Sequence, residues 1–83
     1  MIPRITDAIA QDDFKLLVSF DDGTSVLYDV KDDIETIPSF RTLGLDPKMF
    51  NSFTIDESRT VISWTDQIEL PSDTLREYGK MIA

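Results

Sequence analysis

The sequence predicts an α+β fold: a small single domain whose antiparallel sheet, a hairpin meander plus a second hairpin, is covered by short helices and a C-terminal helix. Three observations predict it. Short apolar runs with strand-like alternation recur along the chain. Turn residues, most of them Asp, separate these runs. Helix-start residues and an apolar stripe at helical spacing follow the last run. With 83 residues, we predict one domain over residues 1–83.

The central element is predicted to be a β-hairpin over Phe14–Val30, because two apolar-rich runs flank the acidic turn Asp21–Gly23. A two-residue loop would set Leu16 against Asp29 across the strands. A three-residue loop, with its glycine in the left-handed conformation, sets Leu16 against Tyr28 and makes one face apolar. We therefore predict the three-residue loop. The predicted core residues of the whole domain are Leu16, Val18, Val26, Tyr28, Phe53, Ile62 and Leu75.

The segment before the hairpin is predicted to be a first strand over Pro3–Ala10, with Ile5 and Ile9 on the same face. A short turn at Gln11–Asp13 then leads into the hairpin. The first three strands are therefore expected to form an antiparallel meander.

The segment Lys31–Phe50 breaks the strand pattern and is predicted to be an irregular helical cover over one face of the sheet. Pro38 stops a first helical turn. Asp46 followed by Pro47 provides an N-cap and a first helical position for another turn. The residues expected to anchor this cover are Ile37, Phe40, Leu43 and Phe50.

A second hairpin is predicted from Asn51–Ile55 and Thr60–Trp64, with Phe53 opposite Ile62. Gln67–Leu70 alternates as a short final strand.

The chain is then predicted to form a C-terminal helix, which starts near Pro71–Asp73. Leu75, Tyr78 and Ile82 fall on one helical face, and this stripe must pack on something because so short a helix is marginal alone.

The composition is strongly acidic, with 16 Asp and Glu against 8 Lys and Arg and a formal net charge of −8. Such a charge repels phosphate backbones and anionic lipids, so we predict neither direct nucleic-acid binding nor membrane binding. A chain without cysteine fits a reducing compartment, and no signal-peptide pattern opens it. We therefore predict a cytoplasmic location.

The side chains that usually carry catalysis are missing. The sequence has no His and no Cys, which removes the commonest general base and thiol chemistry. The three glycines are isolated, so no phosphate-binding loop is indicated. We predict that the protein is not an enzyme and binds no cofactor. In an alternative hypothesis, the Asp-rich turns converge on a hard cation, as in a small metal-assisted hydrolase or ligand-binding domain.

Several short motifs keep an order and spacing found in a known family. They are Phe20–Gly23, Tyr28-Asp29, Phe40 with Leu43, Phe50, Ile55-Asp56, Ile62 with Trp64, Ile68–Leu70 and Asp73–Leu75. Over nearly the whole chain they resemble the small bacterial family called domain of unknown function 2442. The resemblance implies an α+β domain whose antiparallel sheet carries short helices. Where the family usually has an Asn-Gly turn after the Trp, this chain has Thr65–Gln67.

The resemblance also implies a context for the function. Family members occur alone, fused ahead of a helix-turn-helix segment, or encoded beside another small protein in a toxin–antitoxin-like arrangement. We therefore expect an interaction or regulatory module, the acidic member of such a pair, that binds a small basic protein. A third hypothesis is a structural accessory that homodimerises through a strand edge. The predicted contact surface is an acidic rim formed by Asp21, Asp22, Asp32, Asp33 and Glu35.

Overall fold

Two antiparallel sheets and four short helices make up the fold, which the computed structural model describes for residues 2–82. The predicted α+β class is confirmed. The strands are β1 (Ile5–Gln11), β2 (Lys15–Phe20), β3 (Ser25–Asp29), β4 (Thr54–Ile55), β5 (Val61–Thr65), β6 (Ile68–Pro71) and β7 (Lys80–Met81). The helices are α1 (Lys31–Thr36), α2 (Arg41–Leu45), α3 (Pro47–Phe50) and α4 (Ser72–Tyr78). Short 3-10 turns lie at Asp12–Phe14 and Pro38–Phe40.

The first sheet has the strand order β1-β2-β3-β7, so the predicted hairpin is its centre. Leu16 pairs with Tyr28 and Val18 with Val26. Gly23 has φ +87° and closes a three-residue loop. The predicted meander, loop length and register are confirmed.

Replacing Gly23 with alanine is expected to lower the free energy of unfolding by about 1 kcal/mol, because only the backbone conformation opposes a side chain there. A Cβ at this position would meet nothing within 4 Å. Gly23→Asn is the matched control, since asparagine tolerates a positive φ better than alanine does. Urea unfolding of both variants measures the effect. An alanine variant as stable as the native chain would contradict a strained turn.

The predicted phase of the first strand is wrong at Ile9. Ile5 is buried and pairs with Phe20, but the register shifts between Ile5 and Asp7, so Thr6 is an extra residue in β1. A β-bulge of this kind moves every following side chain to the opposite face. Ile9 therefore lies on the outer face and is 49% exposed.

The second sheet has the strand order β4-β5-β6. Ile55, not Phe53, pairs with Ile62, so the predicted register of this hairpin is wrong. The cause is Asp56, whose carboxylate accepts the N–H groups of Thr60 at 2.9 Å and Val61 at 3.1 Å and thereby fixes the turn after Ile55.

The helical cover over Lys31–Phe50 forms as predicted, and Phe40, Leu43 and Phe50 are buried in it. Asp46 caps α3 by accepting the N–H of Lys48 at 3.0 Å. Ile37 is 38% exposed, which corrects its predicted role as an anchor. The proline that follows Ile37 holds it in an extended conformation outside both neighbouring helices.

The predicted helical stripe at the C-terminus is wrong beyond Leu75. Leu75 is fully buried, but Tyr78 is 72% and Ile82 52% exposed. The helix ends at Gly79, and the chain then forms β7, which pairs with β3. The last helical turn is therefore replaced by an edge strand.

One hydrophobic core draws on both sheets and on the helices. Six of the seven predicted core residues are buried, and Phe53 is half-buried at its edge. Phe53 contacts Trp64, with ring centroids 6.1 Å apart, and the Trp64 indole N–H donates to the carbonyl of Phe50 at 2.8 Å.

Candidate functional site

The five predicted contact residues lie at two opposite ends of the central hairpin. Asp21 and Asp22 belong to the turn that follows β2, whereas Asp32, Asp33 and Glu35 lie in α1, after β3. Because β2 and β3 are antiparallel, the two groups are separated by the length of β3, about 16 Å. The structure therefore forms two acidic groups in place of one rim.

Asp21 is held by a bidentate ion pair. The Arg59 guanidinium donates to its two carboxylate oxygens at 2.6 Å and 2.8 Å, and the Thr6 hydroxyl donates at 2.9 Å. These hydrogen bonds, that of Arg59 first, hold the pKa of Asp21 below its usual value. Asp21 thus shares its charge with a fixed cation.

Asp22 is held in a similar way from another element. The hydroxyl of Thr24 donates to it at 2.6 Å, and Arg76 of α4 donates at 2.9 Å. These bonds, that of Thr24 first, lower the pKa of Asp22 to about 2. The Arg76 guanidinium also lies 5.2 Å from the centroid of the Phe20 ring, within cation–π range.

A groove of about 1010 Å³ opens beside these ion pairs. It is lined by Ile2–Arg4, Phe20–Asp22, Ser58, Thr60 and Arg76, and we call it the arginine groove. Sequence reasoning missed it because its cations lie far along the chain from the aspartates that they meet. Its guanidiniums and carboxylates largely balance one another, so the groove has no strong charge preference.

At the other end of the hairpin, most of the carboxylates have no guanidinium beside them. Lys15 and Lys31 lie there too, and Lys31 pairs with Asp13 at 2.7 Å. Lys15 lies opposite Asp29 across β2 and β3, and the carboxylate of Asp29 accepts the N–H of Lys31 at 2.9 Å. We call this surface the acidic end and define it by Asp12, Asp13, Asp29, Asp32, Asp33 and Glu35.

One carboxylate of the acidic end is tied to the core. The hydroxyl of Tyr28 donates to Asp33 at 2.6 Å. Burial, followed by the nearby charges of Asp32 and Asp29, raises the pKa of Asp33. Burial and the bond to Asp33 also raise the pKa of Tyr28. The hydrogen bond from Tyr28 fixes the orientation of α1 relative to the sheet. The carboxylates of Asp29 and Asp32 lie close to Asp33 as a result.

A cleft of about 340 Å³ lies beside the acidic end, between the segment Ala10–Phe14 and residues Pro47, Phe50 and Asn51. Its aromatic wall is formed by Phe14 and Phe50, whose ring centroids are 5.3 Å apart. Asp13 and Phe14 both have a positive φ, of 63° and 59°. A positive φ is rare for a bulky residue and marks a locally strained backbone.

Residues 2–82 contain neither a metal-binding cluster nor a membrane-spanning helix. No group of three or more Asp or Glu side chains there is arranged to hold a metal ion. None of the helices in this part of the chain is long and apolar enough to cross a membrane.

Comparison with known families gives one result. Residues 5–80 match the family model described as "Protein of unknown function (DUF2442)". No curated protein and no solved structure matches the chain. Since the match spans most of the 83 residues and confirms the resemblance in the motifs, the chain belongs to the DUF2442 family.

Proposed function

We propose that the protein is a non-enzymatic interaction module that binds a small basic protein through its acidic end. One observation carries the proposal. Six carboxylates and two lysines gather there, which is half of the net charge of −8 that the whole chain carries. An acidic surface of this kind attracts a basic partner over a distance and raises the rate of association.

The two groups of predicted contact residues contribute differently to this surface. Asp21 and Asp22 are paired with Arg59 and Arg76, so they are not expected to contribute much. Asp32 and Glu35 are exposed on α1, and they remain the principal contact residues.

The cleft beside the acidic end provides a place for an apolar anchor. The rings of Phe14 and Phe50 form its wall, and the carboxylates of Asp12 and Asp13 line it as well. A Lys or Arg side chain fits both features, because its aliphatic stem packs on apolar surface while its charged end reaches a carboxylate. Buried anchors of this kind supply most of the affinity in protein interfaces.

We propose the partner from the context that the motif resemblance implies. A small basic protein encoded beside the gene, as in a toxin–antitoxin-like pair, has the charge that the acidic end attracts. The proposal assigns the complex to the bacterial cytoplasm, which a chain without cysteine fits.

Capture from an extract of the host at low salt tests the proposal. The test variant carries Asp12→Asn, Asp32→Asn and Glu35→Gln, three exposed residues of the acidic end. The matched control carries Glu57→Gln, Asp66→Asn and Glu69→Gln, which are exposed on other surfaces and change the net charge equally. We expect the native chain and the control to capture the same basic protein, and the test variant to capture several-fold less.

Two outcomes would contradict this proposal. Equal capture by both triple variants would show that the acidic end is not the contact surface. Recovery of the chain alone, with no other protein, would leave self-association as the better explanation. The metal-assisted hydrolase stays an alternative that no observation in residues 2–82 favours.

A further inference from the structure

We propose that two copies of the chain associate through the free edge of β1, in the one register that places Ile9 of one protomer opposite Ile9 of its partner. The interface adjoins the acidic end, because Ala10 and Gln11 also line the cleft there, but it needs no basic protein. It would join the two four-stranded sheets into one continuous antiparallel sheet.

The free hydrogen-bonding groups of β1 can be identified from the hairpin. The N–H of Phe20 donates to the residue before β3, so in an antiparallel sheet its neighbour Ser19 bonds to β1. Ser19 pairs with Asp7, so the backbone groups of Asp7 bond to β2. Successive residues of a strand point their backbone groups to opposite sides, so Ile9 and Gln11 also bond to β2. Ala8 and Ala10 therefore direct their N–H and C=O groups away from β2. Within residues 2–82 no hydrogen bond reaches these groups.

The open part of this edge lacks the usual protection against pairing. Its beginning is closed, because the N–H of Ile5 donates to the carbonyl of Arg59 at 2.7 Å. The remaining stretch, Asp7–Gln11, contains one charged residue and no proline. The bulge at Thr6 lies before this stretch, so an edge with a single charge, no proline and no cover remains as a template for another strand. The other edge strands of the two sheets are shorter, and β6 ends in Pro71.

The outer face of the sheet supplies apolar side chains for the contact with a second copy. Ile9 pairs with Leu17, and Leu17 pairs with Leu27, so the three form one row across the strands. They are outside the hydrophobic core cluster, and Ile9 at the end of the row is 49% exposed. A second copy added at Ile9 doubles the length of this row and covers the exposed side chain.

The register follows from which residues would meet. A two-fold axis at Ile9 sets Asp7 against Gln11 and Ala8 against Ala10, so no like charges meet and the small residues share a face. Moving the axis to Ala8 would set Asp7 against Ile9. Moving it to Ala10 would set Ile9 against Gln11. Only the first register joins the two apolar rows.

Single-cysteine variants test the register directly, because the chain has no cysteine of its own. Ile9 would face its counterpart in a non-hydrogen-bonded pair, about 4.5 Å apart between Cα atoms, which a disulfide can span. Under mild oxidation we expect Ile9→Cys to become mainly a covalent dimer. Asp7→Cys, on the same strand but away from the axis, and Ile82→Cys, beyond the opposite edge strand, are expected to stay mainly monomeric. Equal cross-linking of all three would overturn the register.

The mass in solution, followed over a concentration series from micromolar to millimolar, tests the association itself. We expect a native dimer that strengthens as salt rises, since two acidic copies repel each other. Ile9→Lys should abolish it, and Ala10→Pro, which removes an outward N–H without touching β2, should do the same. Ile82→Lys, a side chain of similar exposure (52%), should leave it intact. A native chain that stays monomeric throughout, or a folded Ile9→Lys variant that still dimerises, would overturn the proposal.

Discussion

Leu16→Ala is expected to lower the free energy of unfolding by about 2–5 kcal/mol, the range seen for a large apolar side chain removed from a packed core. Leu16 is fully buried and lies on a central strand opposite Tyr28. Small domains have little stability in reserve, so a loss at the upper end would unfold much of the protein. Urea unfolding followed by the fluorescence of Trp64, the only tryptophan, measures the effect.

Leu17→Ala is the matched control for Leu16→Ala. It removes the same atoms from the next residue of the same strand, but on the outer face, where Leu17 is only half-buried and outside the core cluster. We expect a clearly smaller loss. Equal losses for the two variants would contradict the assignment of the inner and outer faces.

Gly79→Ala is expected to lower the free energy of unfolding by about 1–3 kcal/mol, as overpacking does. A Cβ at this position would lie 2.5 Å from the carbonyl oxygen of Leu75 and 2.9 Å from the Cβ of Val26. Neither atom is the end of a flexible side chain, so the chain would have to shift where α4 passes into β7. The same urea unfolding measures the loss.

Gly44→Ala is the control for Gly79→Ala. A Cβ at Gly44 would lie 2.8 Å from the Cγ2 methyl of the half-buried Ile34, so a side chain has to shift there and the backbone does not. Gly44 is inside α2, where alanine has the better helix propensity. We expect a smaller loss of stability than for Gly79→Ala. If Gly79→Ala were as well tolerated as Gly44→Ala, the close approach of backbone at Gly79 would be contradicted.

The central hairpin could be predicted from the sequence because the residues that would pair across its strands distinguish one loop length from the other. Only the three-residue loop avoids setting Leu16 against Asp29 and instead joins it to Tyr28, which is the observed register. The burial of the predicted core follows from the same alternation, since inward positions on β2 and β3 are apolar throughout.

Other elements depend on local events that alternation does not reveal. The bulge at Thr6 reverses the faces of β1, and no glycine marks it. The carboxylate of Asp56 fixes a turn that sets Ile55 opposite Ile62, two residues from the Phe53 pairing that the apolar pattern alone predicts. Gly79, which the predicted stripe from Leu75 to Ile82 places inside a helix, follows the last helical residue and passes the chain into β7.

The sequence predicts only those parts of the candidate site whose residues are neighbours in the chain. Asp32 and Asp33 mark a true acidic surface, because they are neighbours in the sequence and stay neighbours in α1. Arg59 and Asp21 are 38 residues apart, and only the fold brings them into contact. A net charge read from composition therefore indicates an acidic protein, but it does not say which carboxylates are already paired.

The rate of association with the captured basic protein, measured at two salt concentrations, tests most directly whether the acidic end is the contact surface. As salt rises so that the Debye length falls from about 30 to about 8 Å, the rate for the native chain should fall markedly. The variant with Asp12→Asn, Asp32→Asn and Glu35→Gln should already associate about tenfold more slowly at low salt and respond less to added salt. If that variant matched the native chain in rate and in salt response, the acidic end would not be where the partner binds.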